Sequence, residues 1–518
     1  MRVWGLQFIV VCFCVSGELV FAQPGATTST AAVPRSHVER FTSQQSRAER
    51  AETEASAQLQ ANPNDAEALN ARAYARMGLG RYLEAVEDLR RTVAINPQKA
   101  DYYANLGYAL WKTGKQAEAI AAERSALKLD EKHFTANYQL GRFLLLNGDP
   151  SELQQAASHL RRAIEIDPRR SEVRFDLLTV YRKLEDQPNA ISQLNLLQDS
   201  RPSDSRVLYA DGLLASDRGD LNSAINSFRE ALRLDPSLYG AWQDLGLALL
   251  RQQKWSEAIE SFSELARRQA DSVEGAYLHA LALFNAGRTL EAEKEARRSL
   301  RLDAGAAAAH TLLGIILAAR RGHDAEAAEA LSQAVALDPQ SFDAHFYLGR
   351  VQYALQEYPA AAKTLKVATQ LNRNHAEARF FLGTVLEAAG ENSAALVQYQ
   401  ELAKIAPQSA VGQVGLGAGL VKQGKIEEAI ATLKRAISLD PKIFEAHWAL
   451  GRALFLAEHF PEAVDALRVA VVLEPNRSDA HYQLGLALKR LGRNDEAQRE
   501  FDLVKTINAE FRSRTTPN

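Results

Sequence analysis

The sequence predicts an all-α solenoid, a stack of about thirteen helix-turn-helix repeats of 34 residues, on three observations. A proline returns at Pro63, Pro97, Pro168, Pro202, Pro236, Pro339, Pro407, Pro441 and Pro475, at 34 residues or multiples of it once two short insertions near 148–152 and 321–324 are allowed. With that proline as position 32, position 20 is alanine in all thirteen repeats, from Ala85 to Ala497. Position 8 is glycine in ten of them, including Gly107, Gly246, Gly349, Gly451 and Gly485, with Ala73, Leu178 and Ala280 in the rest.

Each element follows from that register. A repeat holds two apolar stretches at helical spacing, as in Trp242, Leu245, Gly246 and Leu249, then Ala258, Ile259, Phe262 and Leu265. A glycine or polar turn separates the two, as at Gly114, Gly219, Gly287, Gly390, Gly424 and Gly492. The proline ends the second helix, because it lacks a donor and biases the preceding residue away from helix. Small residues at positions 8 and 20 let the two helices approach closely. One such hairpin cannot bury its own apolar face, so neighbours must stack.

On these residues the chain resembles the tetratricopeptide repeat family. Repeat 6 carries the family pattern: Trp242, two residues, Leu245 and Gly246, then Ala258, three residues and Phe262. The resemblance covers 66–511, which is 446 of 518 residues, with repeats starting near 66, 100, 134, 171, 205, 239, 273, 307, 342, 376, 410, 444 and 478. It implies a right-handed superhelix whose concave groove is lined mainly by first helices, and a role in binding peptides or proteins without chemistry of its own. Two specialised modes of the family fail on the residues present. The chaperone carboxylate clamp needs lysine at position 5 and asparagine at position 9, and neither occurs. The asparagine ladder of O-linked N-acetylglucosamine transferases sits at position 6, where this chain has one asparagine, Asn105.

The flanks divide further. Residues 1–22 carry Arg2, an apolar run from Leu6 to Val15 with Glu18 beyond it, and Val20, Phe21 and Ala22 before Gln23. That is the pattern of a cleaved secretory signal peptide, and the run is short for a bilayer core of roughly 30 Å. An exported chain is expected, periplasmic or secreted if the host is bacterial, without a transmembrane anchor once mature. Cys12 and Cys14 both fall in this segment, so thiol catalysis, disulfides and cysteine metal sites are excluded from 23 onward. Residues 23–38 read as a Pro/Ser/Thr/Ala-rich disordered spacer, 39–65 as an N-terminal capping half-repeat, and 512–518 as a tail.

Lys+Arg 61 against Asp+Glu 64 gives a net charge of −3, so no nucleic-acid surface is predicted. His310, His345, His447 and His481 share position 4. Equivalent side chains of neighbouring repeats lie about 10 Å apart, too far to share a zinc ion, so packing histidines are expected. Gly415 to Leu420 read GLGAGL with no preceding strand, which argues against a dinucleotide loop and for a soft first helix in repeat 11. No cofactor, metal or enzymatic activity is expected.

Binding residues are sought where the repeats differ. Position 5 is aromatic in eight repeats: Tyr138, Phe175, Tyr209, Tyr277, Phe346, Phe380, Trp448 and Tyr482. Position 9 is arginine in three of those, so Tyr138/Arg142, Phe346/Arg350 and Trp448/Arg452 form i, i+4 pairs suited to stacking. These eleven residues are the candidate groove surface, the alternative being that the aromatics only stack along the solenoid. Peptide or protein segments are the expected partners of this non-catalytic scaffold. A glycan-binding envelope-assembly role and a purely structural spacer are the alternatives.

Overall fold

The computed structural model describes residues 35–515, with side-chain surroundings for 45–510. The signal-peptide segment and residues 23–34 of the spacer lie outside the described residues. Among the described residues are twenty-seven α-helices, one short 3-10 turn at Pro150–Glu152 and no strand, which makes the chain the all-α helical repeat solenoid expected. The N-terminal helix, Arg35–Ala61, starts four residues before 39, so residues 35–38 are helical rather than spacer. The last helix, Asn494–Thr515, likewise runs past 511 into the expected tail. No proline or glycine between Arg35 and Ala61, or between Asn494 and Thr515, opposes either extension.

The described residues form two compact units, one ending at Arg268 and the other beginning at Gln269. The first unit holds the N-terminal helix and repeats 1–6, the second repeats 7–13. In the first, the N-terminal helix buries Ala55 and Leu59 beside Ala68 and Leu69 of repeat 1. An ion network clamps the same contact. Glu52 accepts from Arg76 at 3.1 Å and Arg81 at 3.0 Å, while the buried Asp88 bridges Arg72 and Arg76 at 2.7 and 2.8 Å. Removing one member of such a buried network leaves the others unpaired, which costs far more than the net value of the pair.

The repeat-to-repeat junction turns on one carbonyl. Position 32 lies in the turn after the second helix. In nine of the thirteen repeats its C=O receives a side-chain N–H from position 4 of the next repeat, six residues on; Leu69, Tyr103, Leu208 and Ala276 hold position 4 in the other four. Trp242 Nε1 donates to Pro236 at 3.1 Å, Arg379 Nε to Arg373 at 2.9 Å and Asn137 Nδ2 to Glu131 at 3.0 Å. The four histidines do the same through Nε2, to Ala304 and Pro339 at 3.1 Å and to Pro441 and Pro475 at 2.9 Å. A carbonyl only accepts, so Nε2 carries the proton in each. Position 26 reaches equivalent carbonyls from the far side, Arg91 to Pro63 at 2.7 Å and Arg298 to Ala270 at 2.8 Å. The repeated histidine is therefore a junction donor.

Within a repeat, the position 8 glycine is a contact surface. A Cβ built on Gly349 would stand 2.5 Å from Leu365 Cγ, and on Gly246 2.5 Å from Phe262 Cε1. All ten position 8 glycines meet position 24 of their own second helix inside 3.0 Å in this way. Repeat 7 solves the same problem from the other side, with Ala280 facing the small Ala296. Repeat 11 puts its glycines to use in packing. Gly412, Gly415 and Gly419 abut Leu402, Tyr399 and Leu396 of the preceding second helix, and Gly417 abuts Leu433. Each of the four marks a close approach between helices.

The turn between the two helices has one left-handed residue in each repeat. It is glycine in nine, but Glu185, Gln253, Gln356 and Glu458 occupy it with φ of 56–63°.

Gly349→Ala gains about 1 kcal/mol of helix propensity but overpacks the fully buried Leu365, at about 1–3 kcal/mol. It should therefore lower stability in urea unfolding. Leu365→Ala alone should cost about 2–5 kcal/mol. The double variant, which copies repeat 7, should lose at least about 1 kcal/mol less than the sum of the two.

Candidate binding face

Within each unit, first helices of successive repeats touch, whereas second helices do not approach as closely. Each stack therefore bends toward its first helices, and the inner face is built from them. Contacts between neighbouring first helices come from positions 5, 6 and 9, and from ion pairs at positions 2, 12 and 13. Asn105 Nδ2 donates to Asn70 Oδ1 at 2.9 Å, and the Tyr209 hydroxyl donates to Asp244 Oδ2 at 2.6 Å. Phe346 meets Phe381 edge to face with centroids 6.2 Å apart.

The aromatic–arginine pairs form as the i, i+4 spacing predicts. Arg142 lies 5.8 Å from the Tyr138 ring, Arg350 5.5 Å from Phe346 and Arg452 4.8 Å from Trp448. Exposure separates the candidates. Tyr277 and Phe346 are each only 3% exposed, which moves both from the expected groove surface into the core. Phe346 is enclosed by Phe342, Tyr347, His375 and Phe381, at centroid distances of 5.6, 5.3, 5.3 and 6.2 Å. Tyr138, Phe175, Tyr209, Phe380 and Trp448 are half-buried, and Tyr482 is 49% exposed. Phe175 is covered in part by Arg206, 4.9 Å from its ring.

Position 6 contributes what position 5 alone does not reveal. Tyr347 and Phe381 join Phe346 around the Arg350 guanidinium, at 5.7, 5.0 and 5.5 Å. Both rings stand in the sequence register, but helical spacing alone does not show that position 6 of one repeat faces position 5 of the one before. Charges on this inner row are largely cancelled across repeats. Arg142 pairs with Asp176 at 3.4 Å, Arg182 with Asp217 at 2.5 Å, Arg350 with Glu377 at 3.6 Å and Lys422 with Glu387 at 2.9 Å. Burial pushes the carboxyls of Asp176 and Asp244 up. It also raises the Tyr138 phenol to about 12, with the Asp176 charge adding to it.

One buried acid belongs to the scaffold. Glu123 takes position 24 of repeat 2, where other repeats carry Leu, Phe, Tyr or Ala. It is fully buried against Gly107. With its amide turned to satisfy both ends, Gln139 donates to Glu123 Oε1 at 2.5 Å and to the Ala104 carbonyl at 3.0 Å. Oε2 has no partner. Loss of hydration pushes this carboxyl well above its ordinary value near 4.5.

Comparison with known proteins places the repeats. The description Tetratricopeptide repeat matches residues 43–100, 70–134, 104–152, 209–273 and 277–341, and further models of that description match 321–375 and 478–511. A TPR repeat model matches 417–457. Among curated relatives, a BBSome complex member BBS4 homolog of Drosophila melanogaster is 22% identical over 225 residues, 35% of this chain and 46% of that protein. Protein O-mannosyl-transferase TMTC3 of Homo sapiens is 25% identical over 232 residues, 44% of this chain and 25% of that protein. The chain thus spans less than half the length of these relatives. Among solved structures, the APC/C hetero-tetramer Cut9-Hcn1 aligns with a TM-score of 0.44 at 15% identity, over 86% of this chain and 94% of that one. YrrB, described as a TPR protein with an unusual peptide-binding site, aligns with a TM-score of 0.34 at 24% identity, over 36% and 96%.

Glu123 generates a pH signature. Its raised folded-state pKa adds stability that is complete below the unfolded value near 4.5 and is lost as pH rises through the folded one. Melting temperature should therefore fall between pH 5 and pH 8 more steeply for the natural chain than for Glu123→Leu, with the variant the more stable at pH 8, at about 1.4 kcal/mol for each unit of pKa elevation. Parallel curves would show that Glu123 does not carry this dependence.

Proposed function

Because the chain belongs to the tetratricopeptide-repeat family, whose fold is typically a non-catalytic protein-interaction scaffold, we propose that it is an exported scaffold binding extended peptide or protein segments on its inner, first-helix face. One observation carries the reading. On the first helices of repeats 12 and 13, Leu456 is 53% exposed and Tyr482 49% exposed, beside the stacked Trp448 and Arg452. An exposed aliphatic, an exposed phenol and a stacked guanidinium together supply the aromatic and arginine anchors that protein contacts favour. Export rests on residues 1–22, whose charge, apolar run and small-residue end fit a cleaved leader. No helix among the described residues is long and apolar enough to cross a membrane.

Affinity capture from an envelope extract tests both parts. The bait is the chain from Gln23, compared with a Arg452→Ala, Leu456→Ser and Tyr482→Ala triple variant of equal helicity. Proteins held by the first and lost by the second are expected. Identical protein capture by both baits would contradict binding on this face. Chain purified from the same envelope should begin at Gln23, and an intact Met1 terminus confined to the cytosol would contradict export.

A further inference from the structure

The three position 9 arginines are equivalent by register, but their electrostatic surroundings differ. Arg142 and Arg350 each reach a carboxylate of the following repeat, Asp176 at 3.4 Å and Glu377 at 3.6 Å. Arg452 reaches none. The corresponding residues of repeat 13 are Gln483 at position 6 and Asp479 at position 2. Gln483 carries no charge, and Asp479 is already held by Arg477, through Nε at 3.0 Å and Nη2 at 2.9 Å. Among the described residues the Arg452 side chain has one recorded partner, the Trp448 ring at 4.8 Å. The indole N–H of Trp448 is itself buried without an acceptor. Among the described residues, Lys489 and Arg490, exposed at the end of the next first helix, have no carboxylate partner either. Glu445 lies seven residues before Arg452 on the same helix, about 10 Å along its axis, a separation at which salt screens much of the interaction.

From this imbalance we infer that Arg452 anchors a carboxylate of the bound segment, so that the partner at repeats 12 and 13 is an acidic peptide. The inference rests on the scaffold reading above and adds the chemistry of the partner. A half-buried guanidinium resting 4.8 Å from an indole centroid is held in place on that ring, and a carboxylate accepts from its donor fork in a bidentate way. Trp448, Arg452 and Leu456 follow one another at i, i+4 and i+8, with Tyr482 on the neighbouring helix. An acid on Arg452 would thus be flanked by apolar side chains on Leu456 and Tyr482. The exposed aliphatic Leu456 favours a peptide side chain over a sugar hydroxyl.

The test is selection of a random ten-residue peptide library, displayed on phage, against the whole chain from Gln23. The baits are the natural chain, Arg452→Gln, and Arg468→Gln on a second helix as the charge-matched control. Enriched peptides should carry Asp or Glu next to an apolar residue, at least about twofold above the starting library. The best of them should bind Arg452→Gln at least about tenfold more weakly, lose as much when its own acid becomes an amide, and bind Arg468→Gln unchanged. Neutral or basic enriched peptides, or binding indifferent to Arg452→Gln, would overturn the acid anchor while leaving a peptide-binding face. No enrichment on any bait would overturn the anchor and the peptide-binding reading together. Retention of a polyglucuronate with no peptide bound would overturn the choice of a peptide.

Discussion

The architecture depends on how closely two helices of one repeat can lie, and that distance is set where position 8 meets position 24. A single methyl group on Gly349 would collide with a leucine that has no room to move, and the same geometry recurs in ten repeats. The interiors of such stacks are packed as densely as organic crystals, so the gap cannot be widened without disturbing the next repeat. Glycine in a helix costs about 1 kcal/mol relative to alanine. The chain accepts that cost ten times because a side chain there would overpack position 24, while repeats 1 and 4 close the hairpin with Ala73 and Leu178 instead.

The second requirement is to join one hairpin to the next without leaving polar groups bare. In nine repeats the position 32 carbonyl meets it, taking an N–H from an indole, an imidazole, an amide or a guanidinium at position 4. The chemistry of the donor varies because only the N–H and its reach matter. That explains why histidine recurs in four repeats, with a tryptophan or an arginine in the same role elsewhere. Glu123 is the exception at position 24, a buried acid where the other repeats carry Leu, Phe, Tyr or Ala, and it makes repeat 2 sensitive to pH.

Most of this fold was legible in the sequence because a period of 34 residues repeats the same packing problem. The proline, the alanine at position 20 and the glycine at position 8 each report a local steric rule. The helix ends were less legible: the first helix starts at Arg35 and the last runs to Thr515, since neither stretch contains a residue that forces a stop. The binding face was legible in part. Spacing along a helix gave the Tyr138/Arg142, Phe346/Arg350 and Trp448/Arg452 pairs, but burial depends on the adjoining repeat. Phe346 is enclosed because repeat 10 supplies His375's neighbour helix and Phe381, while Tyr482 remains open. The free state of Arg452 was equally hidden, because it follows from Asp479 being engaged by Arg477.

The proposed binding face on first helices rests on Leu456, Tyr482 and Arg452, groups that the stack itself does not consume. Site-specific photocrosslinking in producing cells would test that most directly. A benzophenone side chain would be placed at Tyr482 on a first helix and, separately, at Val472 on a second helix, where 76% of the residue is exposed. A discrete crosslinked protein from position 482 and none from 472 is the expected result. The same product from both positions, or a product from 472 alone, would contradict a scaffold that works through its first helices.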